Sequence, residues 1–256
     1  MLNRIKDFLG MPQVWEYGQA AVFYRPDLDG GGRDLAPCFV DFLWNRLHGI
    51  AGAGRRVLPF ENALEWCAGP GFIGFSLVAA GLCKRLCLVD INPAARPYAE
   101  RTIRKNRLQE RVQFVVSDNL RDVPAQHFDL IVANPPNYFG LNPQHPYYER
   151  FKDDLRPNDR GWKVHRAFYS QANPYLSDGA ILLISEIDPA RAEVRTSGFD
   201  VPYDIRPRPA LEDFKEMIQE AGLEYVGSFP LCTLPGGFRS ELVISVKPPR
   251  LGSVEA

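Results

Sequence analysis

The stretch from Asp129 to Phe139, DLIVANPPNYF, limits most sharply what this chain can fold into. Leu130, Ile131, Val132 and Ala133 form a continuous apolar run, the pattern of a strand covered on both faces of a parallel sheet. The run ends at Asn134-Pro135-Pro136-Asn137. Two prolines remove two backbone donors and fix two φ angles, so the strand stops and Asn134 is held at its carboxyl tip. In open α/β sheets, ligands bind at that edge. The Asn134 side-chain oxygen and the Pro135 carbonyl are acceptors with few local donors to occupy them. Together they suit the hydrogens of a substrate N–H group, and they turn its lone pair towards an electrophile held alongside. The plainer reading is a strand that ends in a Pro-Pro turn.

With 256 residues, 45% of them hydrophobic, the chain is long enough for one larger α/β domain with short additions. The net charge of -1 speaks against a large non-specific nucleic-acid surface. Cys38, Cys67, Cys83, Cys87 and Cys232 show no CxxC pair and no metal-ligand spacing. They read as small buried hydrophobes in a reducing cytosol, and no metal is expected. The N-terminal MLNRIKDFLGMPQ has no long apolar core and no stretch reaches membrane-spanning length, so a cytoplasmic protein with no membrane partner is expected.

In chain order, residues 1–34 read as irregular, with Gly30-Gly31-Gly32 a flexible turn. No apolar strand feeds directly into these glycines and no Lys-Ser/Thr follows, so a phosphate loop is disfavoured. Ala36 to His48 reads as a helix capped by Asp34. Asn62 to Cys67 is a short strand that feeds Ala68-Gly69-Pro70-Gly71-Phe72-Ile73-Gly74 and an apolar helix from Phe75 to Ala80. The glycines let a ligand approach the backbone, and the helix start supplies free N–H groups. A second strand, Leu86 to Val89, ends in Asp90, placed to accept hydrogen bonds from a ribose diol. Ala94 to Leu108 is an Arg-rich helix, read as a solvated face. Strand three, Val112 to Val116, ends in Ser117-Asp118-Asn119, where an amide or carboxylate can read an exocyclic amine.

The connection 140–161 is long enough to be a substrate lid, with His145, Tyr147 and Tyr148 as candidate contacts. Trp162 to Leu176 reads as a helix and Ala180 to Ser185 as strand five. A Pro- and Arg-rich connector, Ile187 to Pro209, and a helix, Leu211 to Ala221, follow. Leu223 to Phe229 and Glu241 to Val246 close the chain as an antiparallel hairpin. The divisions expected are 1–55 for an N-terminal extension with its entry helix, 56–250 for the core domain and 251–256 for a tail.

Alternating β and α elements predict a Rossmann-like, doubly wound, mostly parallel seven-stranded sheet with an antiparallel C-terminal hairpin. From Asn62 to Pro248 the chain resembles the class I S-adenosylmethionine-dependent methyltransferases. Glu65-x-Cys67-x-Gly69-x-Gly71 looks like their cofactor motif, and Asp90 matches their ribose ligand. Asp118-Asn119 fall where adenine is contacted, and Asn134-Pro135-Pro136 looks like the signature of the amino- and amide-nitrogen methylating group. Arg25-Pro26-Asp27 is faintly similar to the glutamine-modifying branch. The resemblance implies S-adenosyl-L-methionine as cofactor, held by Glu65, Cys67, Ala68, Gly69, Gly71, Asp90, Ile91, Asp118, Asn119 and Asn134. It implies Asn134, Pro135 and Pro136 as the catalytic corner, with Asn137, Tyr138, His145 and Tyr148 towards the substrate.

Two departures shape the expected acceptor. Position 137 is Asn where the protein-glutamine and adenine-N6 enzymes usually carry an aromatic, although Tyr138 is adjacent. About sixty residues precede the first core strand, few for the helical substrate domain of the glutamine branch. The expectation is therefore N-methylation of a small molecule or peptide, with nucleic acid disfavoured and a monomer or homodimer as the assembly. The alternatives are a protein-glutamine or RNA/DNA adenine-N6 methyltransferase, and an inactive cofactor-binding or assembly subunit. The sulfonium methyl of the implied cofactor is already activated, so no metal is needed, and no obligatory general base is expected.

Overall fold

The computed structural model describes residues 12–54, 57–137, 149, 158–187, 212–233 and 239–249. Gln13–Tyr17 (β1) and Ala20–Tyr24 (β2) pair antiparallel, Gln13 opposite Tyr24, around the loop Gly18-Gln19. This hairpin lies in the segment expected to be irregular. Its signal is local: Val14, Trp15 and Tyr17 favour strands, and Gly18 takes the positive φ of +56° that a tight loop needs. Gly32–Asp41 forms α1, with Gly31 as its N-cap at φ +96°. The helix therefore starts on the triple glycine, four residues before the expected Ala36. Asp34 is not the cap but a first-turn residue whose N–H donates to the Gly31 carbonyl at 3.2 Å. A glycine cap has no Cβ to strain the left-handed turn, and that advantage decides the start. The helix runs on through a widened π turn, Phe42–Arg46, and a 3-10 turn, Leu47–Gly49.

Phe60–Trp66 (β3), Phe72–Ala79 (α2), Cys83–Asp90 (β4), Arg96–Lys105 (α3), Val112–Val116 (β5) and Phe128–Ala133 (β6) follow as alternating units. Lys163–Ala172 (α4), Leu176–Ile187 (β7), Glu212–Glu220 (α5), Glu224–Thr233 (β8) and Arg239–Val246 (β9) complete the order. The seven-stranded sheet runs β5-β4-β3-β6-β7-β9-β8. The first five strands in that order are parallel, and β9 lies antiparallel between β7 and β8. The expected fold class is the one found.

The apolar run of β6 splits by period two. Leu130 and Val132 join Phe39, Phe72, Phe75 and Ile103 on the face covered by α1, α2 and α3. Ile131 and Ala133 join Trp66, Phe168, Tyr169 and Phe214 on the face covered by α4 and α5. Every one of these side chains is at most 7% exposed. A continuous hydrophobic strand is therefore what a two-faced parallel sheet requires. The hairpin and α1 pack into the first of these layers, so residues ahead of β3 belong to the same core. Among the described residues no helix is long and apolar enough to cross a membrane.

Candidate active site

The carboxyl ends of β3, β4 and β6 open into one cleft of about 680 Å³, within the usual range for small-ligand sites. β3 delivers Glu65 and leads into Cys67, Ala68 and Gly69; β4 delivers Asp90 and Ile91; β6 delivers Asn134 and Pro136. The opposite wall comes from the N-terminal segment, through Arg25, Asp27, Leu28, Gly30 and Gly32. The Arg25-Pro26-Asp27 motif thus meets the glycine turn. The triple glycine, read from sequence as a plain turn, is part of the site.

The glycine turn is shaped by three positive φ angles: Cys67 at +55°, Gly69 at +51° and Gly71 at +88°. A Cβ on Gly71 would come within 2.8 Å of Leu88 and 2.9 Å of Phe75, so no side chain fits there. Asp90 fastens this turn to the tip of β4. Its Oδ2 accepts the Gly69 N–H at 2.6 Å and its Oδ1 accepts the Asn92 N–H at 2.8 Å. Burial raises the Asp90 carboxyl above its ordinary value, and these two donors act against that rise. Each oxygen keeps acceptor capacity for a ligand hydroxyl.

Glu65 is buried beneath the turn. Its Oε2 accepts the Gly74 N–H at 2.7 Å, at the first turn of α2. Burial pushes its carboxyl up to about 8, against the opposing pull of the Gly74 and Ile73 amides. A Cβ at Gly74 would lie 2.7 Å from that oxygen. Glu65 therefore holds the loop and helix together from below.

At the Asn-Pro-Pro corner, Asn134 Nδ2 donates to the Gly30 carbonyl at 3.0 Å. A carbonyl requires a donor, which sets the amide orientation and leaves Oδ1 as the remaining acceptor. Pro135 is not free as the sequence implied: its carbonyl accepts Asn137 Nδ2 at 2.8 Å, leaving one lone pair. Asn137, expected to face the substrate, is 7% exposed and turned inward, with Nδ2 also 3.5 Å from the Ser185 carbonyl. A short amide closes the Pro-Pro corner onto β7, a task an aromatic ring cannot perform.

Asp118 and Asn119 follow β5 but do not line this cleft. Asn119 is buried; its Oδ1 accepts the Trp66 Nε1–H at 3.0 Å and its Nδ2 donates to Asp118 at 3.2 Å. Tyr138, His145 and Tyr148 lie outside the described residues, as do residues 140–148, 150–157 and 188–209 of the two long connectors.

Sequence reasoning missed a buried ionic cluster behind the site. His165 on α4 is fully buried; Nδ1 lies 2.6 Å from Asp159 Oδ2 and Nε2 lies 2.8 Å from Glu186 Oε1. A carboxyl oxygen on each ring nitrogen favours a ring that donates from both, an imidazolium. Burial alone lowers its pKa, but Glu186 and Asp159 outweigh burial and push it up to about 9. Trp66, Trp162 and Phe214 enclose the ring with centroids 5.5, 5.1 and 5.2 Å away. The available signal was one polar residue on the apolar stripe His165, Phe168, Tyr169 and Ala172 of α4.

A parallel sheet with one inserted antiparallel strand, carrying a glycine turn, an acidic strand tip and an Asn-Pro-Pro corner on one cleft, has the architecture of a Rossmann-like methyltransferase. The family model described as methyltransferase small domain matches residues 18–153, and the chain belongs to that family.

Among curated proteins, the chain is 28% identical over 145 residues to a ribosomal protein uL3 glutamine methyltransferase of Francisella tularensis, covering 56% of this chain and 46% of that one. It is 28% identical over 94 residues to a tRNA1(Val) (adenine(37)-N6)-methyltransferase of a Flavobacteriaceae bacterium, covering 37% of this chain and 40% of the other. The chain spans about half the length of the curated relatives it matches. Among solved structures, TYW2 of M. jannaschii in complex with AdoMet is similar at TM-score 0.55 and 14% identity, over 92% of this chain and 84% of that one. A putative transferase of Pyrococcus horikoshii reaches the same TM-score and identity, over 94% and 73%. At these identities the structural likeness is one of fold.

Proposed function

We propose that this chain methylates an amide nitrogen, with a glutamine side chain of a protein as the acceptor. The observation that carries this is the Asn134 amide, pinned by Gly30 with Oδ1 left to accept, in the same cleft as Asp90 and the glycine turn. Two of the curated relatives are named as glutamine methyltransferases, one of ribosomal protein uL3 and one, from Borreliella burgdorferi, of a release factor. The segment ahead of β3 builds part of the cleft wall through Arg25, Asp27, Leu28, Gly30 and Gly32, and a small molecule or peptide stays as the alternative acceptor.

The residues present fit the cofactor. Asp90 offers two acceptors to a ribose diol, the Gly69 turn allows close backbone approach, and exposed Ile91 offers an apolar edge to a base. When bound, the cofactor would supply an activated sulfonium methyl to the acceptor nitrogen, leaving as the demethylated thioether, and the nitrogen's proton would pass to water. Asn134 Oδ1 accepts a hydrogen of the acceptor amide, and the remaining lone pair of the Pro135 carbonyl is available for the second. Both contacts localise the delocalised lone pair on nitrogen and aim it.

Asp90→Ala should weaken S-adenosyl-L-methionine binding by about tenfold or more, because the ribose acceptors and the anchor of the Gly69 turn go together. Calorimetric titration checks this, and unchanged affinity would move the cofactor elsewhere.

The function is tested by incubating the protein with methyl-labelled cofactor and, in parallel, ribosomal proteins, release factors and transfer RNA. Label is expected in protein, recovered as N5-methylglutamine after digestion. Label in RNA, released by nuclease as N6-methyladenosine, would instead favour the second reading, which the adenine-methylating relative supports.

A further inference from the structure

The carbonyl that pins Asn134 belongs to Gly30, and glycine is the residue least able to hold a carbonyl in place by itself. What fixes it is next in the chain. Asp29 is largely buried, with Oδ1 accepting the Gly31 N–H at 3.0 Å and Oδ2 3.5 Å from Arg33 Nε. Arg33 Nη1 donates to Tyr24 Oη at 2.9 Å, and Tyr24 Oη donates to Gln13 Oε1 at 2.8 Å. The Tyr24 ring packs edge-on against Phe72, the first residue of α2, at 5.1 Å. A chain of polar contacts thus runs from the N-terminal hairpin through Asp29 to the peptide whose carbonyl holds the reactive-site amide. Asp29 itself does not line the cleft.

We infer that Asp29 is a positioning residue for nitrogen methylation: it fixes the Gly30 carbonyl, which holds the Asn134 amide with Oδ1 towards the acceptor. This rests on the function proposed above. The terminal torsion of an Asn side chain is broad and roughly two-fold. Without an acceptor for Nδ2 the amide turns freely, and in half of its orientations it presents a donor to the acceptor's own N–H. The space at Gly31 is consistent with this fit, since a Cβ there would sit 3.8 Å from Asn134 Nδ2.

The test compares wild type, Asp29→Asn and Asp29→Ala in the full chain. The readouts are kcat, affinity for the demethylated cofactor, thermal midpoint, and hydrogen exchange of the Asn134 side-chain amide by NMR, with its signal assigned by its loss in Asn134→Ala. Asp29→Asn keeps an acceptor for Gly31, so kcat and exchange should stay within about threefold of wild type. Asp29→Ala should lower kcat about tenfold or more and speed Asn134 exchange by a similar factor, with cofactor affinity within about threefold. Unchanged exchange in the alanine variant overturns the inference. So does an asparagine variant as impaired as alanine, which would assign the effect to charge, and so does a parallel collapse of cofactor affinity and thermal midpoint. Absence of methyl transfer by wild type counts against the proposed function alone, because the exchange comparison does not need turnover.

Discussion

Asn134→Ala should lower methyl transfer by about 10²–10³-fold, the size of effect seen when one preorganised polar contact to a reacting group is removed. Affinity for S-adenosyl-L-methionine should stay within about threefold, because in the proposed site that binding falls to Asp90 and the glycine turn, which the substitution leaves in place. The loss belongs in kcat, since in the proposed mechanism Oδ1 acts on the acceptor nitrogen as its lone pair localises. Asn134→Asp is a sharper variant. It keeps an oxygen for the acceptor but sets a second oxygen against the Gly30 carbonyl, 3.0 Å from the present nitrogen, so it should also be slow. Single-turnover transfer from labelled cofactor measures both. Full activity in the alanine variant would remove Asn134 from the mechanism.

The second large effect concerns stability. His165→Ala leaves Asp159 and Glu186, both fully buried, without the cation between them. Breaking a buried pair by removing one partner costs about 3–5 kcal/mol. Urea denaturation at pH 7 should show that loss, and equal stability of variant and wild type would refute the ionic reading.

The pH dependence follows from the direction of the shifts. His165 has a folded pKa of about 9 against an ordinary 6.5, so its contribution is complete below pH 6.5 and is lost as pH rises through 9. Glu65, at about 8 against 4.5, acts in the same sense between those values. Wild-type stability should therefore fall from neutral pH to pH 9. In His165→Ala the buried Asp159 carboxyl loses the cation that lowers its pKa, so the variant should recover part of its deficit towards pH 5.

The strands were legible because their signals are local. Val112–Val116 lies where the pattern placed it, and β6 begins one residue early and ends at Ala133 as expected. The β3 turn, Asp90 and Asn134 were found because glycine, an acidic strand tip and paired prolines restrict the backbone within a few residues of themselves. The hairpin falls in residues that read as irregular although Gly18 and its strand-forming neighbours mark it, because five-residue strands carry too short a pattern to stand out. Asn137 was misread for a different reason. Its type was compared with an aromatic that faces a ligand, whereas its burial against Pro135 and Ser185 is set by β7, 48 residues away.

By itself, then, the sequence determined the doubly wound sheet, the glycine turn, the acidic tip and the Asn-Pro-Pro corner, since each is written in neighbouring residues. Only the tertiary structure decided which way the Asn134 amide points, because its partner Gly30 lies 104 residues earlier. The same holds for the charge on His165, whose carboxyl partners come from the turn ahead of its own helix, six residues earlier, and from a strand 21 residues on. Spacing in sequence carries no record of such contacts: they arise when β2, α1 and β6 converge at one edge of the sheet, and when α4 closes over β7.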